Sequence, residues 1–224
     1  MNSPEIVGQN TSEKEIKIEK IYHFASSICM VEQPEYLKVC NELSTEHLKE
    51  AKKISQMDKI YPVVMTDSFA GDIRIREFAD LICEISGSIL GSQGYNMTNT
   101  QVYINEMWTQ EHFQYSGQEE HVHPGSVISG FYFLECPKDG PRVVLHDPSP
   151  AKRFLGLPEF DMNTITESSV AVNYTPHAGM MMFTNSWVPH SFTKNPSKSP
   201  FRFIHFNVSL IPAITLTPTT AEVI

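Results

Sequence analysis

Two histidines separated by one residue, His121 and His123, stand in the stretch EEHVHPGSVISGFYFLE, residues 119 to 135, directly before an apolar, aromatic run. Side chains alternate along extended backbone, so both imidazoles leave the chain on one face. There they can converge on one divalent ion at about 2.0 to 2.1 Å. A pair alone also suits the polar start of an ordinary strand, so a metal site requires a third group. The candidates downstream are His146, His177, His190 and His205, together with Asp147. His190, in MMMFTNSWVPHSF, follows an apolar run and a turn, a place where a rigid scaffold can hold a ligand beside a cavity. Arg202 then interrupts the aromatic run PFRFIHFN. A guanidinium in such a strand needs an anion. Two anions would serve, a ligand carboxylate gripped by two parallel hydrogen bonds or an internal Asp or Glu, and the remaining alternative is an arginine facing solvent.

The elements that must position these groups change character near residue 100. Before it, PEYLKVCNELSTEHLKEAKKISQM is rich in Leu, Lys, Glu and Ala, which lose little side-chain freedom in a helix. A hydroxyl at Ser44 or Thr45 offers a cap for a restart, so this stretch reads as one bent or two short helices. In REFADLICEISGSILGSQG, the residues Phe78, Leu81, Ile82, Ile85 and Ile89 form one apolar stripe that must bury itself on another layer. Gly91 and Gly94 can end that helix.

Beyond residue 100 the period becomes two. In QVYINEMW, alternation places Val102, Ile104, Glu106 and Trp108 on one face and Tyr103, Asn105 and Met107 on the other. SGFYFLE, PRVVLHD, GMMMF and FRFIHFNVSL are further strand-like runs broken by Pro, Gly or Asn. With no other long helix among them, they point to a closed barrel or a jelly roll, which protects its edges. PSPAKRFLGLPEFDMNTITESS is a long polar connection, of the kind used as an active-site lid or a binding loop. The expected organisation is one domain over 1–224, with a helical support over about 20–95 and a β core over about 100–212.

A net charge of −9 argues against a nucleic-acid surface, which needs clustered Lys and Arg. Four scattered cysteines without CxxC spacing read as reduced thiols of a cytoplasmic protein, where the sequons at Asn173 and Asn207 have no use. The first residues lack the basic and apolar regions of an export signal, and no run of about 18 to 20 apolar residues suits a bilayer.

Three segments carry a resemblance: YINEMWTQEHFQYSGQEEHVHPGSVISGFYFLECPKDGPRVVLHDP, GMMMFTNSWVPHSF and SPFRFIHFNVSL, spread over about residues 102 to 210. Together they resemble the 2-oxoglutarate- and Fe(II)-dependent oxygenases related to the prolyl 4-hydroxylases, in particular a bacterial and phage subgroup. The resemblance implies a mainly β fold with N-terminal helices, a double-stranded β-helix or jelly roll. It implies Fe(II) held by His121, His123 and His190, and 2-oxoglutarate whose far carboxylate meets Arg202. The reaction would convert 2-oxoglutarate and O2 to succinate and CO2 and hydroxylate a primary substrate that the sequence does not name. Asn105, Tyr103 and Ser129 are further candidates for holding the co-substrate, and Trp108 for lining the cavity. All four equally suit core or strand pairing.

One departure matters. The superfamily places Asp or Glu two residues after the first histidine, whereas this chain has His123. An all-histidine set suits iron but supplies no negative charge. Glu119, Glu120 or Asp147 could complete the site instead, or Asp147 could orient a ligand from behind. A jelly-roll binding module without catalysis, with or without metal, is the alternative function, and association into an oligomer stays open.

Overall fold

A computed structural model describes residues 17–55 and 57–213. Helix α1 (Leu37–Ile54) buries Cys40, Leu43, Ser44, Leu48 and Ala51, a spacing of three and four that makes one face. It is one unbroken helix. Ser44 does not cap a restart, because its hydroxyl accepts a hydrogen bond from Thr109 Oγ1 at 2.7 Å across the interface with the sheet. Helix α2 (Arg76–Ser92) buries Phe78, Ile82, Ser86, Ile89 and Leu90. Gly94, at φ 92°, takes the left-handed conformation that turns the chain away after it.

Among the described residues, ten strands form two antiparallel sheets. The larger has the order β1 (Ile28–Glu32), β8 (Met180–Asn185), β5 (Ile128–Glu135), β10 (Phe201–Pro212), β3 (Thr100–His112) and β2 (Val63–Met65). The smaller has the order β4 (Gln118–His121), β9 (His190–Phe192), β6 (Val143–His146) and β7 (Ala171–Tyr174). This is the expected jelly-roll arrangement, with both long helices outside the larger sheet.

Both faces of the larger sheet are therefore covered. On the helical side Met107, Ile128, Tyr132, Leu134, Met181, Phe183, Ile204, Phe206 and Val208 pack with the stripes of α1 and α2. Between the sheets lie Phe131, Phe133, Met180, Met182, Phe201 and Phe203 with Val143, Leu145 and Phe192 of the smaller sheet. Each central strand alternates between the two cores, so it reads as a continuous apolar run.

The alternation expected for QVYINEMW fails at one point. The pairing of β3 with β10 shifts between Asn207 and Val208, where Glu106 faces Asn207 but Ile104 faces Val208, leaving Asn105 as the extra residue of a β-bulge. Val102 and Ile104 consequently join Met107 on the helical side instead of sharing a face with Trp108.

The long connection after β6 contains a short helix, α3 (Pro150–Leu155), ended by Gly156 in the left-handed region. Lys152 pairs with Asp147 at 2.6 Å, and Arg153 grips Glu120 with two hydrogen bonds of 2.7 and 2.8 Å.

Candidate metal centre

His121 closes β4 and stands directly opposite His190, the first residue of β9, with ring centroids 4.5 Å apart. His123 lies just past the end of β4, where its N–H donates to the Ser186 carbonyl at 3.1 Å. Its ring stacks over that of His190 with planes 10° apart, and the two Nε2 atoms are 3.3 Å apart. One ligand atom from each of His121, His123 and His190 lies within 4.8 Å of the other two. His123 thus opens a turn that is pinned just past the end of β8.

Backbone carbonyls set the orientation of two of these rings. His121 Nδ1 donates to the Glu119 carbonyl at 2.7 Å, and His190 Nδ1 to the Val188 carbonyl at 3.2 Å. A carbonyl can only accept, so the ring proton sits on Nδ1 and the Nε2 lone pair is free in both. Burial first, then the nearby His121 and His123, pushes the pKa of His190 down to about 3. Burial followed by His121 pushes that of His123 down to about 4. Neutral imidazoles are the form that binds metal. Two nitrogens each about 2.0 to 2.1 Å from one ion lie roughly 3 to 3.4 Å apart, which accommodates the 3.3 Å separation of His123 and His190. The donor set fits iron, for which imidazole is a suitable ligand.

Residues 106–207 match a family model described as "Putative 2OG-Fe(II) oxygenase". In this region the chain is similar to the 2OG-Fe(II) oxygenases. The family is one of oxidoreductases that use Fe(II) and 2-oxoglutarate. No curated protein matches the chain in sequence. Among solved structures, a prolyl-4-hydroxylase of Pseudomonas putida superposes with a TM-score of 0.56 at 10% identity, covering 82% of this chain and 92% of that one. A prolyl hydroxylase of Trichoplax adhaerens, in complex with a hypoxia inducible factor peptide fragment, gives 0.54 at 9% identity over 81% and 83%. The epimerase SnoN with Fe3+, alpha ketoglutarate and nogalamycin RO gives 0.52 at 11% over 88% of each chain. Such identities speak for the fold, the jelly roll of these oxygenases. Among the described residues no helix is long and apolar enough to cross a membrane.

Two of the three carboxylates considered as alternative ligands are engaged elsewhere, Glu120 by Arg153 and Asp147 by Lys152. Glu119 contributes its backbone carbonyl to His121. His146 bonds Ser191 Oγ at 2.9 Å and His177 meets Glu32 at the surface.

Arg202 is not brought to the triad. On β10 it falls between Phe201 and Phe203, both of which point between the sheets, so its own side chain points toward α1. There its Nη2 bonds Glu111 Oε2 at 2.5 Å, its Nη1 meets Glu135 at 2.7 Å, and Lys52 of α1 pairs with Glu111 at 2.5 Å. The anion that this guanidinium needs is internal, which corrects the expectation that it meets a co-substrate. Asn105, the bulge residue, bonds Ser126 and Ser209, and Tyr103 pairs across the ladder with Ser209; neither makes a hydrogen bond to the triad. Ser129 does reach the site, through His205. The small Gly130 beside it serves the helical side, where Phe206 crosses its backbone.

In the sequence His205 stands only as one of several candidate third groups, without a role of its own. It is 1% exposed, and its ring lies 4.4 Å from that of His123 and 4.3 Å from that of Trp108, nearly parallel to the latter. Period two along β10, counted from the aromatic core at Phe203, would have placed it on the side of the triad.

Proposed function

We propose that His121, His123 and His190 bind Fe(II), and that the chain hydroxylates a substrate with 2-oxoglutarate and O2 as co-substrates. The products are succinate, CO2 and the alcohol, with one oxygen atom of O2 in each of succinate and alcohol. The observation that supports this reading is the convergence of three imidazole atoms within 4.8 Å, two with lone pairs directed by carbonyls. Bound Fe(II) would activate O2, the oxidant, with two electrons supplied by oxidative decarboxylation of the 2-oxo acid. The chain supplies the orientation of the ligands and, through Phe131, which meets His190 edge-on at 5.2 Å, a dry wall behind them.

Peptides and small molecules are the substrate classes in view, since one structural neighbour is complexed with a peptide and another with nogalamycin RO. The charge of −9 argues against nucleic acid. Four free cysteines favour a reducing, cytoplasmic location. A second reading, a metal-bearing module without catalysis, draws on one feature: no carboxylate is among the three converging groups.

Anaerobic titration with Fe(II) and then 2-oxoglutarate tests the proposal. A visible charge-transfer band that requires both, and succinate formed from 2-oxoglutarate in air, are expected. His121→Ala and His190→Ala should lose both, while His123→Asp should keep the metal. Metal binding without either signal supports the module, and folded protein that takes up no metal defeats both readings.

A further inference from the structure

With Arg202 turned toward α1, the far carboxylate of a dicarboxylic 2-oxo acid has no guanidinium waiting for it. The six-stranded sheet lies between Arg202 and the triad, and the charge of Arg202 is already shared by Glu111 and Glu135. Among the described residues, no hydrogen bond or ion pair brings another lysine or arginine to His121, His123, His190 or His205.

The space between the sheets at the Arg202 end of β10 is also occupied. Phe192 stacks on Phe203 at 4.8 Å, Phe131 meets Phe192 at 5.2 Å, Phe201 meets Phe203 at 5.3 Å, and His112 closes on Phe203 at 5.6 Å. An acid chelated beside the triad cannot extend its tail through these rings.

In the other direction along the same face of β10 come His205 and Asn207. His205 Nε2 lies 3.2 Å from Ser129 Oγ, and its Nδ1 is buried without a partner. The Ser129 hydroxyl can rotate to donate to Nε2, which places the ring proton on Nδ1 and makes it a free donor beside His123. Asn207 Nδ2 donates to Glu106 at 3.2 Å, so the amide oxygen is the remaining atom, also buried and unpartnered. It is an acceptor, with a carboxylate next to it. The face therefore offers one neutral donor near the metal ligands and, farther along, groups that do not attract an anion.

We infer that His205, backed by Ser129, positions the 2-oxo acid beside the metal, and that among the described residues no fixed cation selects for a charged tail. The centre accordingly accepts 2-oxo acids with and without a second carboxylate. This rests on the oxygenase reading above and adds the specificity of its co-acid seat.

The test is anaerobic binding, read by the charge-transfer band of the Fe(II)-loaded protein with 2-oxoglutarate and with 2-oxopentanoate, its analogue of equal length ending in a methyl group. Dissociation constants within about fivefold of each other are expected, since no charge-assisted pair separates the two acids. Arg202→Gln should leave both unchanged. His205→Phe should weaken both by about tenfold, the order of one lost hydrogen bond, with Fe(II) affinity unaltered, and His205→Gln should recover part of the loss. A merely structural role for His205 would not separate acid from metal in this way. A preference for 2-oxoglutarate of about a hundredfold or more, the size of a bidentate charged contact, overturns the inference. So does acid binding indifferent to His205→Phe. The comparison of two acids on unaltered protein decides the matter even where a variant does not fold. Protein that binds Fe(II) but neither acid fails at the earlier step and overturns the oxygenase reading itself.

Discussion

Glu111, with a side chain 1% exposed, is held between Lys52 and Arg202. Burial pushes its carboxyl up, but the hydrogen bonds and charges of Lys52 and Arg202 more than reverse this and leave the pKa below the ordinary carboxylate range. A depressed folded value means that the pair stabilises the protein above the unfolded pKa and that this contribution is lost as pH falls through the folded value. Arg202→Gln removes one partner from a buried charge, a change that costs about 3 to 5 kcal/mol when the remaining ion is left uncompensated. Lys52 stays, so the lower end is expected. Urea unfolding should show the variant less stable at neutral pH, with the difference shrinking in acid as Glu111 protonates. Equal stability at neutral pH would contradict the role assigned to Arg202 at the interface with α1.

The strands succeed as elements because β5, β8 and most of β10 are buried on both faces, and that leaves little tolerance for volume. A Cβ on Gly130 of β5 would lie 2.3 Å from Phe206 Cζ and 2.6 Å from the Met182 carbonyl oxygen. The ring could rotate, but the carbonyl belongs to β8, and moving it disturbs the ladder. Gly130→Ala should therefore destabilise by about 1 to 3 kcal/mol, as overpacked cores do, measured as a lower urea midpoint with an unchanged slope. An unaltered midpoint would show that β5 and β8 separate more readily than their pairing indicates. Element boundaries and faces were only partly readable from the chain. Period two located β3, β5, β6, β8 and β10, whereas β1, β2, β4, β7 and β9, three to five residues each, are too short to show a period. The bulge at Asn105 exchanged the faces of β3 because one unpaired residue shifts every side chain before it.

Across the whole molecule, the triad joins parts that are distant in sequence. His121 and His190 belong to the smaller sheet, and the turn bearing His123 is tied through Ser186 to the end of β8 in the larger one. A metal bound there links both sheets and binds only the folded chain. Saturating Fe(II) should raise the unfolding free energy by about 2.7 kcal/mol at a hundredfold excess over its dissociation constant. Thermal unfolding under anaerobic conditions should show a higher Tm with the metal, reversed by a chelator. The His121→Ala protein should show no such shift. A Tm rise that survives this substitution would locate the metal elsewhere.

The chain by itself determined the fold class and named the three histidines of the candidate metal centre. A change of hydrophobic period near residue 100 marks helices before a β core, and the histidine pair, with His190 after the apolar run of β8, carries its chemistry in local order. It left open which anion Arg202 meets, since a lone charge in an aromatic strand calls for one without saying which. Only the tertiary structure decided that. Register on β10 sends Arg202 to α1 and His205 to the triad. The physical reason is that a sheet has two faces. One residue of displacement along a strand decides whether a side chain meets the helices or the metal centre, and packing of the neighbouring layers sets that displacement.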